Sequence, residues 1–225
     1  MSFSAELRAA GDEIWGRQHV HPFVLGIADG TLPEPAFRYY VRQDYLFLID
    51  YGRLLALGAV RAPRLEWMRR FAALSQAILE TEMDLHRASA AAWGIDDDEL
   101  ETEVAAPATA GYADFLLRTA ALGDFSELAA ALLPCMWGYA EIGERLGRGT
   151  RPGHPRYAEW IDMYAGDDFQ ALAQWCRDLV DAAAAELGDA ARDRMRRAFL
   201  VSSEHELAFW ESAWRQRDTS EAAAP

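Results

Sequence analysis

The chain has 225 residues, 51% of them hydrophobic and 12% aromatic, and a formal net charge of −14. That is apolar enough to bury a substantial core and excludes a disordered chain. The negative charge argues against nucleic acid, a polyanion that would repel it, and against anionic membrane surfaces. Two cysteines, Cys135 and Cys176, are too few for a disulfide framework, and the stretch MSFSAELRAAGDE carries acids where a secretory signal has an apolar core. No run approaches the roughly 18 apolar residues of a membrane span. The expectation is a cytoplasmic protein with reduced thiols.

Alanine, leucine, glutamate and arginine are abundant and two-residue alternation is never sustained, so helices are expected throughout. The first spans about residues 4–18 and stops before HPFV. DGTLPEPAF reads as a loop entering a helix, with Pro35 in its first turn, and this helix continues to about Val60. Pro63 resets the chain, and a third helix runs on to Gly94. GIDDDELETEVAAPA reads as a polar turn region. A shorter helix, about residues 108–122, is closed by Gly123. Asp124 or Ser126 caps the next, which carries LLPCMWGY and ends at GERLGRG. After the connector RPGHP come helices over residues 154–165, 168–187 and 189–217, then a frayed tail, residues 218–225. Without repeats or a low-complexity linker, the expected fold class is all-α, one helical-bundle domain over residues 1–217.

Pro134 lacks the amide that a helix interior needs, and its ring clashes with the carbonyl of Ala130, so a kink is expected. A kink can aim Cys135 into a cavity, and Tyr139 follows four residues later on the same face. The plainer alternative is that a cysteine among leucines is a small inert hydrophobe. Cys176, in AQWCRDL, suggests packing alone. In RQDYLFLIDYG, Asp44, Phe47 and Tyr51 form one stripe, extended by Leu48 and Leu55. An acid on that stripe needs a ligand or a buried partner, unless it sits at the edge and reaches solvent or an arginine. In VSSEHELAFWESAW, Glu206 shares a face with Phe209, Trp210 and Ala213, whereas Glu204 and Glu211 read as solvated. The histidines are His19, His21, His86, His154 and His205. Only His86, four residues after Glu82, has helical ligand spacing to a carboxylate; one such pair closes no metal site and reads as a surface pair. A thiol, a carboxylic acid with a raised pKa and an aromatic box suit covalent catalysis on a flat heterocycle, provided the three helices meet.

Five strings, in order, carry a resemblance: HPFVLGIADGTLPEPAFRYYVRQDYLFLIDYGR, ETEMDLHR, LLPCMWGYAEIGERL, HPRYAEWIDMYAGDDF and SSEHELAFWESAW. Over about residues 8–216 the chain resembles the TenA family, also called thiaminase II. The resemblance implies an all-helical haem-oxygenase-like fold without haem, assembled as a homotetramer; neither a cofactor nor a metal is expected. It implies hydrolysis at the methylene carbon of a 2-methyl-4-aminopyrimidine, the small-molecule partner. Aminopyrimidine would give hydroxymethylpyrimidine and ammonia, and thiamin would give hydroxymethylpyrimidine and the thiazole alcohol. Residue by residue, Cys135 matches the family's nucleophile, Glu206 the acid that protonates a ring nitrogen, and Asp44 the aspartate that holds the amino side of the ring and assists the thiol. Tyr112, Tyr139 and Tyr164 match tyrosines lining the pocket, and Phe209 resembles an aromatic wall. Phe47 stands where some members have tyrosine, which keeps stacking area and loses a hydroxyl. Two other readings stay open: a metal-dependent oxidase on the same scaffold, and a non-catalytic pyrimidine-binding or regulatory protein.

Overall fold

In the computed structural model, which describes residues 2–218, helix follows helix and no strand occurs among the described residues. Helices α1 (Phe3–Ala10) and α2 (Asp12–His19) stand where one was expected. They part at Gly11, where a Cβ would crowd the ring of Phe199 at 3.0 Å. Helix α3 (Pro22–Asp29) starts at His21, whose Nδ1 accepts from the Phe23 amide at 3.2 Å, and stops at Gly30 with a φ of 74°. Only a residue without a Cβ takes that left-handed angle easily. Helix α4 (Glu34–Arg61) has Pro35 in its first turn and ends short of Pro63, as the sequence indicates.

Two stretches expected to be continuous helix contain a π-helical turn. The first, Ile78–Glu82, joins α5 (Leu65–Ala77) to α6 (Met83–Ala92). The stretch expected as polar turn holds α7 (Asp97–Thr102), fixed by a reciprocal cap. Asp96 accepts from the Glu99 amide at 2.8 Å, and the Glu99 side chain accepts from the Asp96 amide at 3.2 Å. Next come α8 (Pro107–Leu122) and α9 (Phe125–Leu133). The second π turn, Pro134–Gly138, leads into α10 (Tyr139–Gly147). Where the proline predicts a kink, the helix widens: a turn that accommodates an extra residue absorbs the missing amide. The chain continues through α11 (Pro155–Ala165), α12 (Asp167–Ala184) and α13 (Asp189–Trp214) to a last turn, Arg215–Asp218. Residues 219–225 of the expected tail lie outside the described residues.

Helix α4 packs on α5, α6 and α8; α13 packs on α8 and α9; α9 rests on α12, and α10 on α11. Buried side chains gather in two clusters, one around Trp15, Leu54, Phe71 and Phe199, the other around Phe23, Phe37, Tyr157 and Trp210. Phe169 touches both. Among the described residues, no helix is long and apolar enough to cross a membrane.

Candidate active site

A cavity of about 790 Å³ lies where the two clusters meet, a size typical of small-molecule sites. The stripe on α4 forms one wall with Asp44, Phe47 and Tyr51; Leu48 and Leu55 border it too. Tyr112 enters from α8, Cys135 from the second π turn and Tyr139 from α10. Tyr164 enters from α11, and Glu206 and Phe209 from α13. The polar faces that sequence leaves on separate helices thus meet on one cavity. Asp162, Met163, Asp167 and Asp168 are exposed where α11 turns into α12, and they form the mouth.

The aromatic side chains leave a slot suited to a flat ring. Phe47 lies 5.0 Å from Tyr112 and 5.7 Å from Tyr51, centroid to centroid, with interplanar angles of 31° and 28°. Phe209 closes the side at 6.2 Å. Opposite, the rings of Tyr139 and Tyr164 are 4.8 Å apart, and Trp160 backs Tyr164 at 4.6 Å. That corner depends on Gly143, where a Cβ would stand 2.5 Å from the main chain of Tyr164. The hydroxyl of Tyr51 is buried and has no hydrogen-bond partner among the described residues. Trp210, expected on the face of Glu206, packs instead on Tyr139 and Tyr40 behind the wall.

Glu206 is 2% exposed. Burial pushes its carboxyl up to about 8, and the charge of Asp44 adds to the rise, while the contacts with Tyr112 and Cys135 pull the other way. A count of protons leads to the same neutral form. Ser202 donates to the carbonyl of Ala131 at 2.7 Å, Tyr112 and Ser202 are 2.9 Å apart, and Tyr112 and Glu206 are 2.7 Å apart. Two hydroxyl protons serve these three contacts. As a carboxylate, Glu206 would accept from Tyr112 and leave the contact between Tyr112 and Ser202 without a proton. As a carboxylic acid it donates to Tyr112, which donates to Ser202, and all three are satisfied. Ser202, four residues before Glu206 on the same face of α13, completes this chain and was not singled out from sequence.

Burial, then Glu206, then Asp44, hold the Cys135 thiol well above its ordinary range, so it rests protonated. Tyr112, Tyr139 and Tyr164 are raised by burial in the same way and are neutral phenols. Cys176, read as packing, is buried in the first cluster and also borders the cavity.

His86 is not a surface residue. It borders the cavity, its Nε2 donates to the carbonyl of Val41 at 2.7 Å, and its Nδ1 faces Asp44 Oδ2 at 3.8 Å. The side chain of Glu82, its expected partner, lies outside the described residues. Glu204 is exposed as expected, whereas Glu211 bridges His21 at 3.2 Å and Arg215 at 2.9 Å. No group of three or more His, Cys, Asp or Glu side chains converges as a metal shell among the described residues.

An all-α frame enclosing an aromatic cavity between two core clusters places the chain among helical proteins of the haem-oxygenase-like kind. A domain with that fold from Shewanella denitrificans OS217 superposes with a TM-score of 0.73 at 12% identity, covering 98% of this chain and 94% of that one, a likeness of fold alone. The chain belongs to the TENA/THI-4/PQQC family, whose sequence model matches residues 8–216. It is 42% identical over 218 residues to the aminopyrimidine aminohydrolase of Halalkalibacterium halodurans, covering 96% of this chain and 97% of that one. Against the aminopyrimidine aminohydrolase of Bacillus subtilis the identity is 39% over 223 residues, covering 99% and 94%. The TenA homologue from P. horikoshii OT3 superposes with a TM-score of 0.90 at 31% identity, covering 96% of this chain and all of that one.

Proposed function

We propose that the chain hydrolyses the C–N bond at the methylene carbon of a 2-methyl-4-aminopyrimidine, with Cys135 as nucleophile, Asp44 as acceptor of its proton and Glu206 as acid. The chain is an enzyme, a C–N hydrolase of the aminopyrimidine aminohydrolase kind; the proposal concerns its substrate and its chemistry. The observation that carries it is a neutral carboxylic acid, Glu206, beside a neutral thiol, Cys135, on one aromatic slot.

A neutral thiol is a weak nucleophile, so attack needs a base. Asp44 takes the proton as the sulfur adds to the ring, and Glu206 protonates a ring nitrogen in the same step. Concerted transfer avoids a bare ring anion in a buried site. The C–N bond breaks with its electron pair on nitrogen, which departs as ammonia from the protonated aminomethyl group. Water adds to the methylene carbon and gives up one proton to solvent. As the C–S bond breaks, Asp44 returns its proton to sulfur and Glu206 recovers its proton from the ring. The balance is aminopyrimidine plus water to hydroxymethylpyrimidine plus ammonia, and the cavity lined by Phe47, Tyr112 and Tyr139 holds the ring throughout. Aminopyrimidine is the preferred substrate and thiamin the slower one. A cytoplasmic setting, a homotetramer and a single domain over residues 1–217 belong to the same proposal. Free thiols at both Cys135 and Cys176 support a reducing compartment.

The test is ammonia release from aminopyrimidine by the wild type and by Cys135→Ser, with thiamin run beside it. Release that vanishes in Cys135→Ser, with pyrimidine binding kept, supports the mechanism. A folded wild type that binds pyrimidine and turns over neither compound overturns it in favour of a binding protein.

A further inference from the structure

Helix α4 runs beside the cavity like a ruler, with lining residues from Tyr40 to Leu55 and about 1.5 Å of axis per residue. The mouth lies near its Tyr40 end. Trp160 Nε1 donates to the Tyr40 hydroxyl at 3.3 Å, and Trp160 packs on Tyr164, which leads into Asp167 and Asp168. Asp44 stands one turn further in. Glu206 belongs to the next level, since it contacts Tyr112 at 2.7 Å and the Tyr112 ring lies 5.0 Å from Phe47. Beyond that level the walls turn apolar. Ser75 donates to the Gly52 carbonyl at 2.9 Å, and a Cβ on Gly52 would meet Ile78 at 3.7 Å, which sets Leu74 and Ile78 beside Tyr51 and Leu55. From the other side α12 brings Leu172 and Cys176, the latter a neighbour of Tyr51. These residues form an apolar arm, with the Tyr51 hydroxyl at its inner end near the Cys135 thiol. The whole cavity, about 790 Å³, is of a size that takes a drug-sized ligand, more than one six-membered ring with small substituents fills.

The order of these levels gives a bound ring its direction. With the 4-amino group at Asp44, the ring nitrogen across from it, N1, is the one that reaches Glu206 a level deeper. The aminomethyl group sits on C5, beside the amino group, and so lies toward the mouth, where ammonia can leave. The 2-methyl group sits beside N1 and so lies toward the arm, against carbon and sulfur instead of water. We infer that the arm bounded by Leu55, Leu74 and Cys176 receives the 2-alkyl group of the substrate, and that the enzyme accepts 2-alkyl-4-aminopyrimidines with chains longer than methyl. This rests on the reading of Asp44 and Glu206 given under the proposed function. C2 takes no part in breaking the C–N bond, so a longer chain changes binding and leaves the chemistry as it is. Each added CH2 exchanges water for an apolar wall until the arm is full. Leu74, half-buried on α5, is a residue that sets that length.

The test is a series of aminopyrimidines carrying methyl, ethyl, propyl or butyl at C2. Turnover is measured in the wild type, in Leu74→Phe, which narrows the arm, and in Leu74→Ala, which widens it; melting temperatures show that each variant folds. Binding of the same series to Cys135→Ser is followed by calorimetry. Expected in the wild type are a kcat within about threefold from methyl to propyl and a KM about two- to fourfold lower for each added CH2. Leu74→Phe should lower the propyl-to-methyl ratio of kcat/KM by about tenfold, and Leu74→Ala should extend the gain to butyl. A wild-type kcat/KM that drops by about tenfold from methyl to ethyl overturns the inference, and this arm needs no variant. So does a propyl-to-methyl ratio that neither folded Leu74 variant moves. A propyl group placed on the leaving nitrogen instead checks the direction: a gain there that Leu74→Phe removes means a reversed ring, and the inference falls. Binding to Cys135→Ser separates the inference from the reading beneath it. Affinity that rises from methyl to propyl, with no turnover by the wild type, supports the arm and overturns the hydrolysis. Turnover of the methyl compound with affinity flat or falling along the series does the reverse.

Discussion

Ser202 donates its proton to the carbonyl of Ala131 on α9, and Tyr112 is therefore the donor in its contact with Ser202. A hydroxyl on one helix thereby decides the protonation of a carboxyl one turn away. Ser202→Ala frees Tyr112 to donate to Glu206, which favours the carboxylate. The loss of activity on the basic side, set in the wild type by Glu206 near about 8, should move to lower pH in the variant. The variant should also lose about 1 kcal/mol of stability. A pH profile of kcat checks this, and an unmoved basic limb refutes the proton count.

Glu206 should also cost the fold stability. Its carboxyl sits near 8 in the folded protein against 4.5 for an unperturbed group, so the folded state binds this proton more tightly than the unfolded chain. Its contribution to stability therefore falls as pH rises from about 4.5 to about 8 and is level beyond. Glu206→Gln, neutral at every pH, should abolish turnover and be more stable than the wild type above pH 8 by about 1–3 kcal/mol. Denaturation at several pH values measures the difference, which should shrink toward acid. A constant difference would mean that Glu206 is not raised.

Tyr51 carries a buried hydroxyl that makes no hydrogen bond of ordinary geometry among the described residues and lies near the Cys135 thiol and beside Phe47. Tyr51→Phe removes at most a weak contact with the Cys135 thiol, so stability should stay within about 0.5 kcal/mol of wild type. If the hydroxyl serves the substrate, KM for aminopyrimidine should rise several-fold. An unchanged KM would assign Tyr51 to packing alone.

Gly143 lets α10 approach α11 closely enough to set the Tyr139–Tyr164 corner. Gly143→Ala places a methyl against the Tyr164 main chain, with a loss of about 1–3 kcal/mol. Since Tyr164 must move, pyrimidine affinity should fall as well. Calorimetric binding at a temperature where the variant is folded checks this; full affinity would show that Tyr164 does not hold the ring.

The stripe on α4 and the face carrying Glu206 were legible because helical spacing alone puts Asp44 with Phe47 and Glu206 with Phe209. The cap at Asp96 was equally legible in its spacing to Glu99, but the acidic run around it reads as solvated turn. Helical spacing offers His86 only Glu82 on its own stretch of chain, while Asp44, which it faces in the fold, stands on another helix. No local spacing reveals a contact of that kind. The π turns were hidden for a different reason. Pro134 marks the second as a break without saying whether the helix bends or widens, and nothing in ILETE marks the first. Ser202 lay in plain view four residues before Glu206, but its importance depends on the carbonyl of Ala131, which only the packed fold supplies.

The second π turn also limits how this chain can change in length. Adding or deleting one residue between Leu133 and Tyr139 would rotate everything after it by about 100°. Helix α10 cannot follow, because Gly143 fits against Tyr164 in one orientation only. Side chains along Pro134–Gly138 can be exchanged while the register holds. The number of residues there is locked by a neighbour nine positions beyond Pro134, so an insertion or deletion in this wall should disable the site even where every side chain that lines it is kept.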